Sequence, residues 1–226
     1  MPAFLSRLAL LLIISVVLGA CSESLAQEDG APSPIPESDV LGPISAGVRS
    51  VETFDQPFTL DFPNGWYRFL LTDNFFAIEP EADFDIVFMQ PTELNDPNDL
   101  AFPGADFDPW DITDFDGWLA AIPQDLIAAG PDEAMIAGLP TTRVELQVTD
   151  EDMCANAEFC IGFARTSVDG HGRPMEPGRR YVIDWIELGD GQLPFVISQT
   201  LPETDEDDII RDQFASLIDS LQFSET

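Results

Sequence analysis

Lysine is absent from this 226-residue chain, so all nine of its basic side chains are arginine, set against 42 carboxylates for a formal net charge of -33. A chain so short of positive charge repels phosphate backbones and anionic headgroups, which excludes nucleic acid as a partner. Histidine occurs once, at His171. One imidazole cannot furnish the two or three that a hydrolytic zinc site needs, and no Gly-x-Ser-x-Gly turn is present to seat a nucleophile. A Gly-rich phosphate loop is also missing. The stretch nearest to an EF-hand, Ile112 to Gly117, has Ile at its first ligand position and Pro123 at its twelfth. Carboxylates that could pair for glycoside hydrolysis are plentiful, but abundance is not a motif. The chain reads as non-enzymatic.

No apolar run reaches the ~20 residues of a membrane-spanning helix. A shorter one, Leu8 to Leu18 behind Arg7, closes on Leu18-Gly19-Ala20-Cys21, the pattern of a bacterial lipobox. Residues 1–20 are expected to be a lipoprotein signal peptide. Cys21 would then be the first mature residue, with acyl chains on its thiol and amino group, each buried methylene contributing about 0.8 kcal/mol to anchoring. The expected address is the extracytoplasmic face of a bacterial membrane, held there by lipid. Residues 21–52, with Pro32, Pro34, Pro36 and Pro43 among Ser and acid, lack a sustained apolar period and read as a linker. Residues 53–226 are expected to form a single domain. The chain's 45% apolar content, including 17 Phe, is ample for a core.

Alternation and turn chemistry give the elements. Phe58–Phe62 and Trp66–Leu70 flank Pro63-Asn64-Gly65, a hairpin signal. Two further strands are expected over Phe75–Glu79 and Phe84–Gln90, then a long acidic connection from Pro91 to Ile112. Thr113 reads as an N-cap, opening a helix through Trp118, Leu119 and Ile122 that Pro123 kinks or restarts and Gly130-Pro131 stops. Four more strands, Leu139–Val148, Phe159–Val168, Arg180–Leu188 and Leu193–Thr200, predict an antiparallel meander. A closing helix presents Ile210, Phe214, Leu217 and Leu221 on one face. The fold class expected is α+β, an antiparallel sheet flanked by helices.

The element order resembles the PsbP-like α/β/α sandwich lipoproteins over about residues 54–223. Three short signatures carry the likeness: Phe62-Pro-Asn-Gly-Trp66, Ile136-Ala-Gly-Leu-Pro140 and the ending Ile218-Asp-Ser-Leu-Gln-Phe223. The resemblance implies a central antiparallel sheet between helices, in proteins that mostly bind partners or assist assemblies. Lysine-based docking surfaces have no counterpart in a lysine-free chain.

Charge is unevenly placed. Sixteen carboxylates and no basic residue lie between Arg68 and Arg143, eight of them from Glu93 to Asp116. Asp96, Asp99, Asp106, Asp108 and Asp111 there offer hard oxygen ligands of the kind calcium takes in sets of six to eight. The alternatives are a calcium site and a solvated acidic loop. Acid excess without lysine also suits a high-salt habit, and arginine for lysine can follow from a GC-rich genome. Cys154 and Cys160 are expected to form a disulfide outside the cytoplasm, worth about 2 kcal/mol for so short a loop. Trp66, Trp118 and Trp185 sit in apolar-patterned elements and read as core. Trp110, within the acidic connection, either anchors an unknown protein partner or tucks onto the sheet. Arg173, Arg179 and Arg180 either grip an anionic group or offset acids of their own domain.

The anchor is the most direct of these expectations to check. The N-terminal peptide from cells expressing the wild-type chain should carry acyl chains on Cys21 by mass spectrometry. Cys21→Ala should abolish that species and deplete the membrane fraction, and an unacylated wild-type peptide would refute the lipobox.

Overall fold

A strand that is apolar at every position must be covered on both faces. Ile86–Met89 is such a strand, and all four of its residues are buried. The rest of the architecture follows from that need. The structure is a computed structural model describing residues 32–36, 42–80, 84–96, 109–147, 161–166, 172–176, 178–189, 191–201 and 208–224.

In chain order come β1 (Ser33–Pro34), β2 (Gly42–Pro43), β3 (Gly47–Val51), β4 (Phe58–Phe62), β5 (Tyr67–Thr72), β6 (Phe75–Glu79), β7 (Ile86–Met89), β8 (Glu93–Asn95) and β9 (Pro109–Trp110). Helix α1 (Phe115–Ala121) and a 3-10 turn over Gln124–Leu126 follow, then β10 (Ile127–Ile136) and β11 (Leu139–Gln147). The chain continues through β12 (Ile161–Arg165), β13 (Gly172–Met175), β14 (Arg180–Ile186), β15 (Phe195–Leu201), α2 (Asp208–Asp219) and β16 (Gln222–Phe223).

Among the described residues these strands build three sheets. The central one has eight strands in the order β10-β11-β14-β15-β7-β6-β5-β2, with every pairing antiparallel. Its alternating side chains feed two separate cores. Phe76, Ile78, Phe88, Phe195 and Ile197 point to one face, which is covered by a sheet of order β1-β3-β4-β16 and by Phe214, Leu217 and Ile218 of α2. Ala77, Val87, Ile183, Trp185 and Val196 point to the other, covered by a sheet of order β13-β12-β8-β9 and by α1. In that second core Phe115 stacks on Trp185 with ring centroids 4.2 Å apart and planes 6° from parallel. The indole N–H of Trp118 donates to the carbonyl of Asn95 at 2.7 Å, so the one polar atom of a buried tryptophan is satisfied.

Several expectations are corrected. The α+β class, with helices flanking one antiparallel sheet as in a PsbP-like α/β/α sandwich, is overturned: the chain is mostly β, and among the described residues its two α-helices, of 7 and 12 residues, are minor partners of sheets on both faces. The segments around Asn64-Gly65 are not a hairpin. β4 pairs with β3 and β16, whereas β5 pairs with β6 and β2, so the turn is a corner between sheets. Inward Phe58, Leu60 and Phe62 on one side and Trp66 on the other fill a single core, and that apolar demand outweighs local pairing.

The meander is broken as well. β11, β14 and β15 are neighbours, but β12 crosses to the third sheet, where it pairs with β8 and β13. Residues 124–130 leave the expected helical path for a short 3-10 turn and the edge strand β10, because Pro123 at the helix end removes the next amide donor. The long acidic connection begins and ends as paired strands, Leu94 opposite Trp110 and Asn95 opposite Pro109. Part of the segment read as linker belongs to the fold, since β3 pairs along its whole length with β4 and Val51 is fully buried.

The start of α1 is displaced by one residue. Asp114, not Thr113, is the N-cap, its Oδ1 accepting from the Gly117 N–H at 3.0 Å. A Cβ at position 117 would collide with that carboxylate, so the glycine permits the cap. Thr113 instead donates its hydroxyl to Asp111 Oδ1 at 2.7 Å. Asp114→Ala should therefore cost about 1 kcal/mol in urea unfolding. Thr113→Ala should cost clearly less, and equal losses would contradict the assignment.

Candidate functional site

Strand β13 lies at the edge of the third sheet and carries Arg173, which is only 5% exposed. A guanidinium taken out of water must be paired and hydrogen-bonded. Its Nη1 and Nη2 donate to the two carboxylate oxygens of Asp85 at 2.6 and 2.9 Å, a bidentate fork. Nε donates to Ser198 Oγ at 3.0 Å, and Nη2 also donates to Thr200 Oγ1 at 2.6 Å. The Thr200 hydroxyl in turn donates to Asp85. The guanidinium carbon lies 5.1 Å from the ring centroid of Tyr181, within cation–π range.

The strand pattern explains why these partners meet. Ser198 is opposite Ile183 and Thr200 opposite Tyr181, so two hydroxyls emerge on the same face of the central sheet as the second core. On this otherwise apolar face Arg173 partners the Ser198 hydroxyl, and Arg173 and Asp85 together partner that of Thr200. Asp85 precedes β7, and its carbonyl accepts from the Thr200 N–H at 2.9 Å, which fixes the carboxylate at the sheet end. The Tyr181 hydroxyl accepts from the Glu176 N–H at 2.7 Å, and Glu176 Oε2 lies 3.3 Å from Arg179 Nε.

Beside this network is a cavity of about 420 Å³, within the range of small-molecule sites, ~300–1,000 Å³. Phe69, Leu70, Phe75, Ala77, Phe84 and Val87 supply its apolar lining. Asp85, Arg173, Tyr181 and Thr200 contribute the polar network, and Glu79, Glu176 and Arg179 also line it. Phe69 is 59% exposed because the register between β5 and β6 slips between Arg68 and Leu70. The slip leaves a large aromatic side chain facing open space beside the cavity.

Burial alone would raise the Asp85 pKa, but the charge of Arg173 and hydrogen bonds from Arg173 and Thr200 outweigh it and hold the carboxyl below the usual Asp value. For Tyr181 burial dominates and pushes the phenol up, against the Glu176 hydrogen bond and the Arg173 charge. Another carboxylate, Asp184, behaves oppositely to Asp85. It is fully buried, and desolvation raises its pKa despite hydrogen bonds from Arg143 Nε at 2.6 Å and Nη2 at 3.0 Å.

The residues singled out in the sequence are dispersed. Arg173 and Arg179 come to the cavity, while Arg180 pairs with Glu145. Trp110 is half-buried against the second core and donates its indole N–H to the Asp114 carbonyl at 3.0 Å. Trp66, Trp118 and Trp185 are core. Of the calcium candidates Asp96 and Asp111 are described, while Asp99, Asp106 and Asp108 lie outside the described residues. Asp111 is engaged as a turn acceptor, its pKa lowered by the Thr113 backbone and hydroxyl bonds. Among the described residues no group of three or more His, Cys, Asp or Glu side chains is placed to hold a metal ion. Cys21, Cys154, Cys160 and His171 also lie outside the described residues. Asp85, Phe69, Tyr181 and Thr200 were not foreseen, although an acid next to the apolar run Ile86–Met89 was the available signal for the first.

No family model matches the chain, and no curated protein matches it. It is similar to a crystal structure from Bacteroides thetaiotaomicron VPI-5482, with 11% identity and a TM-score of 0.37, over 74% of this chain and 45% of that one. The chain thus spans less than half the length of that relative. These comparisons add nothing on the PsbP-like resemblance.

These two carboxylates make opposite contributions to pH dependence. Asp85, with its folded pKa depressed, stabilises above the ordinary Asp value of 3.8 and loses that contribution as pH falls through its lower folded value. Asp184, with its folded pKa raised, contributes stability that is complete below 3.8 and is lost as pH rises through its folded value. Asp85→Asn should cost about 3 kcal/mol at pH 7, because Arg173 stays buried without its counter-charge. It should also flatten the fall in stability on the acid side of pH 4, and an unchanged acid limb in the Asn variant would refute the assignment.

Proposed function

We propose that this chain is a lipid-anchored, extracytoplasmic binding module without catalytic activity, and that the cavity beside Arg173 is its ligand site. The cavity carries the reading. It combines an apolar lining of small-molecule size with polar groups whose positions are already fixed, the usual composition of a binding pocket. The Leu18-Gly19-Ala20-Cys21 motif supports the address.

The state of the polar groups supports binding over chemistry. A general base works best with a pKa near the working pH, and Asp85 is pushed the other way. The Thr200 hydroxyl donates to Asp85 and accepts from Arg173, and the Tyr181 hydroxyl accepts from a backbone amide. These groups are committed to holding the wall in shape.

Binding is testable with the neutral fluorophore 1-aminoanthracene. Its emission should rise and shift to the blue with the full chain, saturating at one site. Leu70→Trp, which fills the cavity from a half-buried position on β5, should weaken the probe by at least about ten-fold while leaving far-UV circular dichroism unchanged. Equal binding by the variant would place the site elsewhere.

A further inference from the structure

Resting on the binding reading above, we propose that the cavity selects an organic cation: a single ammonium group carried on an apolar, preferably aromatic, body. The charges that line it decide the sign. Among the described residues it is lined by three carboxylates, Glu79, Asp85 and Glu176, and two guanidiniums, Arg173 and Arg179. Arg173 is closed to an anion. Nε and both Nη atoms donate to Ser198, Asp85 and Thr200, one guanidinium face lies on Tyr181, and the side chain is almost wholly buried. Arg179 is drawn to Glu176 at 3.3 Å. An anionic ligand would have to break one of these pairs and then face the carboxylate it released.

For a cation the same wall is ready. A carboxylate has about four lone-pair sites, so Asp85 keeps acceptor capacity beyond its Arg173 and Thr200 bonds. A third of its side-chain surface is accessible, and the residue lines the cavity. Glu176 is 43% exposed and meets Arg179 through one oxygen at a long 3.3 Å, a contact that can be shared with a ligand ammonium. Phe69, which is exposed, and Phe84, which is half-buried, add aromatic side chains to the lining, and aromatic rings attract ammonium groups and stack on aromatic bodies. The net charge of -33 adds a long-range field that concentrates cations around the molecule.

The test compares three probes of one shape that differ in charge: 3-phenylpropylammonium, 3-phenylpropan-1-ol and 3-phenylpropionate. Each displaces 1-aminoanthracene from the full chain at low salt, where electrostatics is least screened. The ammonium should compete at least about ten-fold better than the alcohol, and the carboxylate should be weakest. Glu176→Gln combined with Glu79→Gln should shrink the ammonium advantage several-fold, because the double change removes two of the three carboxylates. Equal competition by ammonium and alcohol, tightest competition by the carboxylate, or displacement by none of the three would overturn the cation assignment while leaving the cavity as an apolar site. Failure of 1-aminoanthracene itself to bind the folded chain would remove the binding reading first, so the two failures are distinct.

Discussion

The structure depends on one constraint, a central sheet that must be dry on both faces. β7 is apolar at each of its four positions, and its flanking strands β6 and β15 place Phe76, Ile78, Phe195 and Ile197 on one side and Phe75, Ala77 and Val196 on the other. Burying an aromatic or branched aliphatic side chain contributes about 1.5–3 kcal/mol, so neither face can be left to water. Everything else in the fold is cover. The β1-β3-β4-β16 sheet and α2 close one face, and the β13-β12-β8-β9 sheet and α1 close the other. The chain crosses between layers at its turns, which is why Pro63-Asn64-Gly65 becomes a corner.

Cover on the second face includes a polar tie. Arg173 descends from the sheet edge onto Ser198, Thr200 and Asp85, joining the third sheet to the central one through charge-assisted hydrogen bonds. Such a tie is directional, whereas apolar packing is not. It fixes where β13 sits relative to β15 and therefore bounds the space between them and the strands β5 and β6. The cavity is the consequence: its apolar lining from Leu70, Phe75, Ala77 and Val87 continues the core, and the Arg173 network lies alongside. A site of this kind is rigid on its polar side, where orientation matters. The apolar side is shaped by side chains alone.

Strand identity was legible wherever it followed from alternation or apolar density. Phe75–Glu79 coincides with β6, the strand expected from Leu139 is β11 as far as the described residues reach, and the positions Phe214, Leu217 and Leu221 of the closing segment are buried as expected. Pairing was not legible, because local turn chemistry says only that the chain reverses or bends. β4 and β5 share a turn that suits a hairpin, yet their partners are β3, β16, β6 and β2. The fold class differs for the same reason: the amphipathicity of two helices predicts helical cover, whereas short strands from distant segments, such as β16 with β4 and β8 with β12, assemble the covering sheets. Arg173 could be named from charge alone. Its partners could not, since Asp85, Ser198 and Thr200 are 25 to 88 residues away in sequence.

Lysine-free composition also takes on a structural meaning. Arg143, Arg165, Arg173, Arg179 and Arg180 each meet a carboxylate: Asp184, Glu93, Asp85, Glu176 and Glu145 respectively. Guanidinium suits this use because its planar fork matches a carboxylate and is less strongly hydrated than an ammonium, so it can be buried or half-buried at a sheet edge where lysine would resist. Five of the six arginines in the second half of the chain are thereby committed to acids of their own domain. What remains to face solvent is the excess of carboxylates. The surface has no internal ammonium to compete for those acids, and a ligand bearing one would meet acceptors that this protein's own side chains leave in surplus.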